Sequence, residues 1–171
     1  FDGAGFVRGV QRKGFDLAGK RVLVVGSGGV GCAIAASLAG AGIAAISLFD
    51  VNTASAEALG QRLKQNYPHI DVRTGSNDPA DHDLVVNATP MGMNEGDALP
   101  MDVSRISSDA FVGEVVMKTE MTAFLQAAKN RGCRVQVGSD MLFEQIPAYL
   151  EYFGLPTTTA EVLRDVAQLS Y

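Results

Sequence analysis

The sequence predicts a doubly wound α/β fold built on a mostly parallel six-stranded sheet. Three observations predict it. Short apolar, β-branched runs alternate with segments of helical period along most of the chain. A glycine cluster separates the first such run from the first long helical segment, where a strand must turn sharply. The length of 171 residues suits one core, given the roughly 150 residues of an ordinary domain.

Gly5 to Lys13 reads as a short lead-in helix. Arg21 to Val25 is a β-branched strand of the kind buried on both faces of a parallel sheet. Gly26 to Gly31 is a turn. Ala33, Ile34, Ser37, Leu38 and Ala41 then recur at helical spacing until Gly40 and Gly42 end the helix. Ile43 to Asp50 is the second strand, which makes a βαβ unit with a right-handed crossover. Ala54 to Asn66 is a helix stopped before Tyr67-Pro68, Ile70 to Thr74 the third strand and Asp83 to Asn87 the fourth. An irregular connection rich in Pro, Gly, Met and Asp runs from Thr89 to about Ser108. Phe111 to Val116 is the fifth strand, Glu120 to Asn130 a helix, Arg134 to Val137 the sixth strand and Asp140 to Phe153 a helix. After Leu155-Pro156 a last helix spans Thr157 to Leu169, with Thr157 or Thr158 as N-cap and Glu161 completing a capping box. The whole is one domain over 1–171, with a lead-in segment over 1–20 and the C-terminal helix within 155–171.

Charge and composition exclude several classes. With 14 Lys+Arg against 19 Asp+Glu the net charge is −5, which disfavours nucleic acid and anionic membrane as partners. An apolar share of 47% is too high for disorder. Cys32 and Cys133 are too few for a disulfide framework or a Cys-rich zinc site, and read as small reduced hydrophobes, as in a cytoplasm. His69 and His82 have no metal-ligand pattern and are expected at the surface, so no metal is expected. Val22 to Phe49 carries no charge and is long enough to span a bilayer. Glycines at 26, 28, 29, 31, 40 and 42 would break such a helix repeatedly, so no membrane span is expected. No signal-peptide pattern is present at the start, and the chain opens Phe1-Asp2-Gly3 without Met, so residues upstream of Phe1 are expected.

Gly26-Ser27-Gly28-Gly29-Val30-Gly31 fits G-x-G-x-x-G between a strand and a helix, the dinucleotide-binding context. Gly26 permits the tight turn, Gly28 the approach of a pyrophosphate to the backbone, and Gly31 close packing of helix on strand. The helix N-terminus offers free N–H groups to the phosphates. Asp50 closes the second strand about 20 residues later, where such folds place a ribose-binding acid. Its carboxylate can accept both ribose hydroxyls of NAD and repels a 2′-phosphate, and the following Val51 and Asn52 supply no guanidinium. NAD is therefore expected over NADP. The competing reading of Asp50 is a cap for the next helix.

Asp2-Gly3-Ala4-Gly5-Phe6 resembles the end of the Asn-Thr-Asp-Gly-x-Gly-Phe segment of the shikimate and quinate dehydrogenases. The likeness continues in order through Gly14-x-x-Leu17-x-Gly19-Lys20, the glycine turn, Asn87-Ala88-Thr89-Pro90-Met91-Gly92-Met93, Thr122-x-x-Leu125 and Gly138-x-x-Met141-Leu142-x-x-Gln145. The resemblance implies a Rossmann-type domain of a nicotinamide-dependent oxidoreductase that interconverts a ring alcohol and its ketone, shikimate or quinate with the 3-dehydro acid. It implies that Asp2 pairs with a catalytic Lys from a substrate-binding domain preceding Phe1, so that the isolated chain is catalytically incomplete. It implies further that Asp2 and Gln145 contact substrate, that Thr89, Pro90 and Met91 line the cofactor cleft, and that Val115, Gly138, Met141 and Leu142 lie by the nicotinamide. Two departures stand out. Where relatives often carry Asn-Arg-Thr this chain has Asp50-Val51-Asn52, which favours NAD. Where many have a substrate-contacting Tyr it has Met117, followed by Lys118, which leaves the substrate open. The alternatives are an NAD-binding paralogue acting on another polyol and a non-catalytic regulatory domain. A homodimer is one assembly left open.

Overall fold

The computed structural model describes residues 1–169. Six strands form one sheet: β1 (Arg21–Val25), β2 (Ala45–Phe49), β3 (Asp71–Thr74), β4 (Leu84–Asn87), β5 (Phe111–Glu114) and β6 (Arg134–Gln136). Six helices accompany them: α1 (Asp2–Arg12), α2 (Gly29–Gly40), α3 (Thr53–Asn66), α4 (Ala123–Asn130), α5 (Gly138–Tyr152) and α6 (Ala160–Val166). The strand order is β3-β2-β1-β4-β5-β6 and every pairing is parallel, which sharpens "mostly parallel" to wholly parallel. Order reverses between β1 and β4, so a crevice opens at the carboxyl ends of those strands.

Alternate residues of each central strand feed separate cores, as the period of two requires. Val22 and Val24 face a core shared with α1, α2 and α3, whereas Leu23 and Val25 face a second one built with Phe124, Leu125 and Ala128 of α4. Among the described residues no helix is long and apolar enough to cross a membrane. The uncharged stretch is instead β1, α2 and β2, as its glycines require.

Helix α1 differs most from expectation. It begins at Asp2 rather than Gly5, and it is wedged into the first core between α2 and α5. Its buried face combines Phe6, Val7 and Val10 with three glycines. A Cβ on Gly3 would stand 2.1 Å from the Ala33 carbonyl oxygen, one on Gly5 2.7 Å from the Met141 carbonyl oxygen, and one on Gly9 2.6 Å from Gln136 Oε1. At Gly3 and Gly5 the neighbour is backbone, so only glycine permits the approach.

The last helix is also shorter than expected. It starts at Ala160, and its N-cap is Thr159, whose Oγ1 accepts from Val162 N at 3.3 Å. Thr157 and Thr158 precede the cap, so the predicted capping box does not form. Glu161 pairs with Arg12 instead. Residues 170–171 of the predicted C-terminal segment lie outside the described residues. Ion pairs join the three helices: Arg12 Nε to Glu144 Oε1 at 2.7 Å, Lys13 to Asp140 at 3.1 Å and Arg164 to Glu144 at 3.0 Å.

Candidate nucleotide-binding and active site

The glycine turn is demanded at two positions by the fold itself. Gly26 has φ +106°, and a Cβ there would lie 2.5 Å from the Ala88 carbonyl oxygen. A Cβ on Gly31 would lie 2.1 Å from the Gly26 carbonyl oxygen. Gly28 and Gly29 are different, because no protein atom stands within 4 Å of a Cβ at either. Helix α2 starts here with Gly28 as an N-cap that supplies no side-chain hydrogen bond, and with no acidic residue in its first turn. Its N-terminal N–H groups and positive dipole end therefore face an open space. Val30 packs against the first core.

Asp50 leaves β2 and turns back onto this loop. Its Oδ2 accepts from Ser27 N at 2.7 Å and its Oδ1 from Asn52 N at 2.8 Å. Asn52, not Asp50, is the N-cap of α3. Each carboxylate oxygen keeps a free acceptor direction, and Val51 beside it is 90% exposed. Ser27 Oγ is buried with no hydrogen-bond partner among the described residues. Asp50, Val51, Gly26, Gly28, Thr89, Pro90 and Met91 line one cleft of about 580 Å³. Phe49, Asn77, Leu99 and Pro100 complete it and were not read from the sequence, since the last three belong to irregular connections without periodic signal. Asn77 Nδ2 donates to the Pro100 carbonyl at 3.1 Å and ties those connections together.

The other implied residues gather around α5 and do not line that cleft. Gly138 opens the helix, and a Cβ there would stand 2.1 Å from the Val116 carbonyl oxygen, so packing alone requires glycine. Met141 is buried in the first core, Val115 packs against it, and Leu142 is half-buried. Gln145 is buried, and its Oε1 has no partner among the described residues. Asp2 stands in the first turn of α1, the helix whose Gly5 backs onto Met141 and Gln145. Met117 is 47% exposed, and Lys118 Nζ donates to Asn94 Oδ1 at 2.6 Å. His82 is half-buried rather than at the surface, with Nε2 2.9 Å from Ser47 Oγ.

One buried group escaped the sequence reading. Glu114 ends β5, is fully buried, and accepts from Thr122 Oγ1 at 2.6 Å. Asn87 ends β4 in register with it, with Nδ2 3.5 Å from Glu114 Oε2. Two polar residues closing apolar strands were the available signal. Burial pushes the Glu114 carboxyl above the ordinary carboxylate range, and the bonds from Thr122 and Asn87 only partly oppose it. A folded-state pKa above the unfolded one means that the native protein holds the proton more tightly. The stability this supplies is present in acid and lost as pH rises through the raised value. Glu114→Gln is therefore expected to raise the urea midpoint at pH 8 and to change it little below about pH 4, the ordinary range of Glu. A lower midpoint for the variant at pH 8 would contradict this.

A family model described as the ThiF family matches residues 10–63, the end of α1 through most of α3, which is less than half of the chain. The quinate/shikimate dehydrogenase (NAD(+)) of Corynebacterium glutamicum strain R is 34% identical over 160 residues, covering 90% of this chain and 56% of that protein. The solved quinate dehydrogenase from Corynebacterium glutamicum in complex with NAD superposes with a TM-score of 0.83 at 30% identity, over 96% of this chain and 60% of that one. The ligand-free 5-ketofructose reductase of Gluconobacter sp. strain CHM43 gives a TM-score of 0.83 at 27% identity, over 97% of this chain and 63% of that one. The chain thus spans between half and two thirds of the length of these relatives.

Proposed function

We propose that this chain is the NAD-binding domain of an oxidoreductase of the quinate/shikimate dehydrogenase family, acting on a cyclic hydroxy acid, shikimate or quinate with the 3-dehydro acid, a reading supported by its 34% identity to the curated relative over 90% of its length. The observation that carries this reading is the junction of Asp50 with the glycine turn through Ser27 N, at the crevice where strand order reverses.

The residues present fit a dinucleotide. No protein atom requires glycine at 28 or 29, which leaves the approach of a pyrophosphate as the reason for bare backbone there. The unpartnered Ser27 Oγ and the free acceptor directions of Asp50 suit phosphate and ribose hydroxyls respectively. A bound nicotinamide supplies the hydride donor or acceptor. Gln145, with its orphaned Oε1, would accept a hydrogen bond from a substrate hydroxyl and orient the ring. Asp2 would hold the reacting hydroxyl and handle its proton together with a lysine from outside these 171 residues. The chain alone is accordingly expected to turn over little or no substrate.

Calorimetry with both nucleotides tests the cofactor. Asp50→Ala should weaken NAD binding by about 1–3 kcal/mol, through loss of charge-assisted bonds. Clearly tighter binding of NADP by the unmodified chain would overturn the role of Asp50. The substrate is tested by assaying the full-length parent protein with shikimate and quinate, where NAD binding without turnover of either would refute it. The likeness to a 5-ketofructose reductase favours one second reading, a paralogue acting on another polyol. The exposed Met117, where many relatives carry a substrate-contacting Tyr, is consistent with that reading, and reduction of 5-ketofructose in the same assay would support it.

A further inference from the structure

Glu114, Asn87 and Thr122 form a buried polar cluster at the carboxyl ends of β4 and β5, and nothing in the proposed chemistry uses it. All three are at most 1% exposed. Each non-carboxylate member controls a different piece of the site. Asn87 Oδ1 accepts from Thr89 N at 3.1 Å and from Thr89 Oγ1 at 2.6 Å, while its Nδ2 donates to the Met91 carbonyl at 3.0 Å. Those bonds shape the turn 88–91, which forms one wall of the cleft facing Asp50. Thr122 Oγ1 accepts from Leu125 N at 3.2 Å and so caps α4, where the loop from Val115 ends. Among the described residues Glu114 is the one bonded to both, with Thr122 on Oε1 and Asn87 on Oε2.

Among the described residues no cation compensates this carboxylate, and its burial is costly. A group kept at such a cost, and joined only to the anchors of two cofactor-side loops, has positional meaning. We propose that Glu114 is a positioning residue for the nicotinamide nucleotide, acting through Asn87 on the turn 88–91 and through Thr122 on the loop 115–121. The inference rests on the nucleotide-binding reading given above. A carboxylate can accept from both donors at once. An amide of the same shape offers one acceptor and one donor, so glutamine at 114 must turn an N–H toward either Thr122 or Asn87.

The test is calorimetric titration of NAD into the full chain and its E114Q, T122V and T122S variants, with urea unfolding of each. E114Q and T122V should raise the Kd for NAD about three- to tenfold, the range that one intramolecular hydrogen bond carries. T122S, which keeps the hydroxyl, should stay near the unmodified value. E114Q should at the same time be the more stable protein at pH 8, and weaker binding with higher stability is a combination that general structural damage does not produce. Unchanged Kd values in E114Q and T122V would overturn the inference alone. Weaker binding of E114Q with lower stability would overturn it too, as mere loss of packing. Failure of the unmodified chain to bind either NAD or NADP would remove the nucleotide reading and this inference together.

Discussion

Phe6→Ala is expected to cost about 3–5 kcal/mol of stability, read as a lowered urea midpoint with unchanged slope. The side chain is fully buried. Its ring packs against Gly113 in β5, so closely that a Cβ on Gly113 would stand 2.7 Å from Phe6 Cζ. Its carbonyl accepts from the buried Gln136 Nε2 at 3.1 Å. Truncation would leave a void between α1 and the sheet that neither partner can fill, because Gly113 has no side chain and Gln136 is held by its bond. A cost near zero would mean that α1 is only a lead-in segment docked on a finished domain, contrary to its place in the first core.

Gly31→Ala should unfold the glycine turn and abolish detectable NAD binding, with about 1–3 kcal/mol or more of stability lost to overpacking. The new methyl would have to share space with the Gly26 carbonyl oxygen, 2.1 Å away. That oxygen cannot retreat easily. Gly26 N donates to the Phe49 carbonyl at 2.7 Å, and the backbone there lies against Ala88. Gly28→Ala is the matched comparison, since the space in front of Gly28 holds no protein atom. It should leave the urea midpoint nearly unchanged and still weaken NAD binding, because only a ligand needs that space. Equal losses of stability in the two variants would show that the turn is scaffolding at both positions.

Much of this was legible from periodicity. The apolar strands, the glycine turn and the helices between them follow from spacing, and their ends shifted by only a few residues. Helix α1 was harder to read. Glycines at 3, 5 and 9 argue against a helix by propensity, and their actual use, close approach of the helix to α2, α5 and Gln136 of β6 respectively, depends on partners far along the chain. The last cap was ambiguous because Thr157, Thr158 and Thr159 are equivalent locally; the pairing of Glu161 with Arg12 accompanies the choice of the third. The Asp50 side of the candidate site was readable from one βαβ unit. Asp2 and Gln145 acquired a meaning only through family resemblance, and Glu114 had none until strand register set it beside Asn87.

The wedge of α1 between α2 and α5 also constrains how the chain can fold. Residues β1 through β2 form contacts at short sequence separation and can assemble early. The slot that α1 occupies has one wall from α5, and the bond from Gln136 to Phe6 spans 130 residues. Closing a loop of that size must precede the reward from its contacts, which raises contact order and slows the final step. In vectorial synthesis α1 precedes α5 by more than 120 residues, so its apolar face stays uncovered until α5 has left the ribosome. A circular permutant that moved α1 behind α6 would shorten that loop while keeping every contact of the sheet.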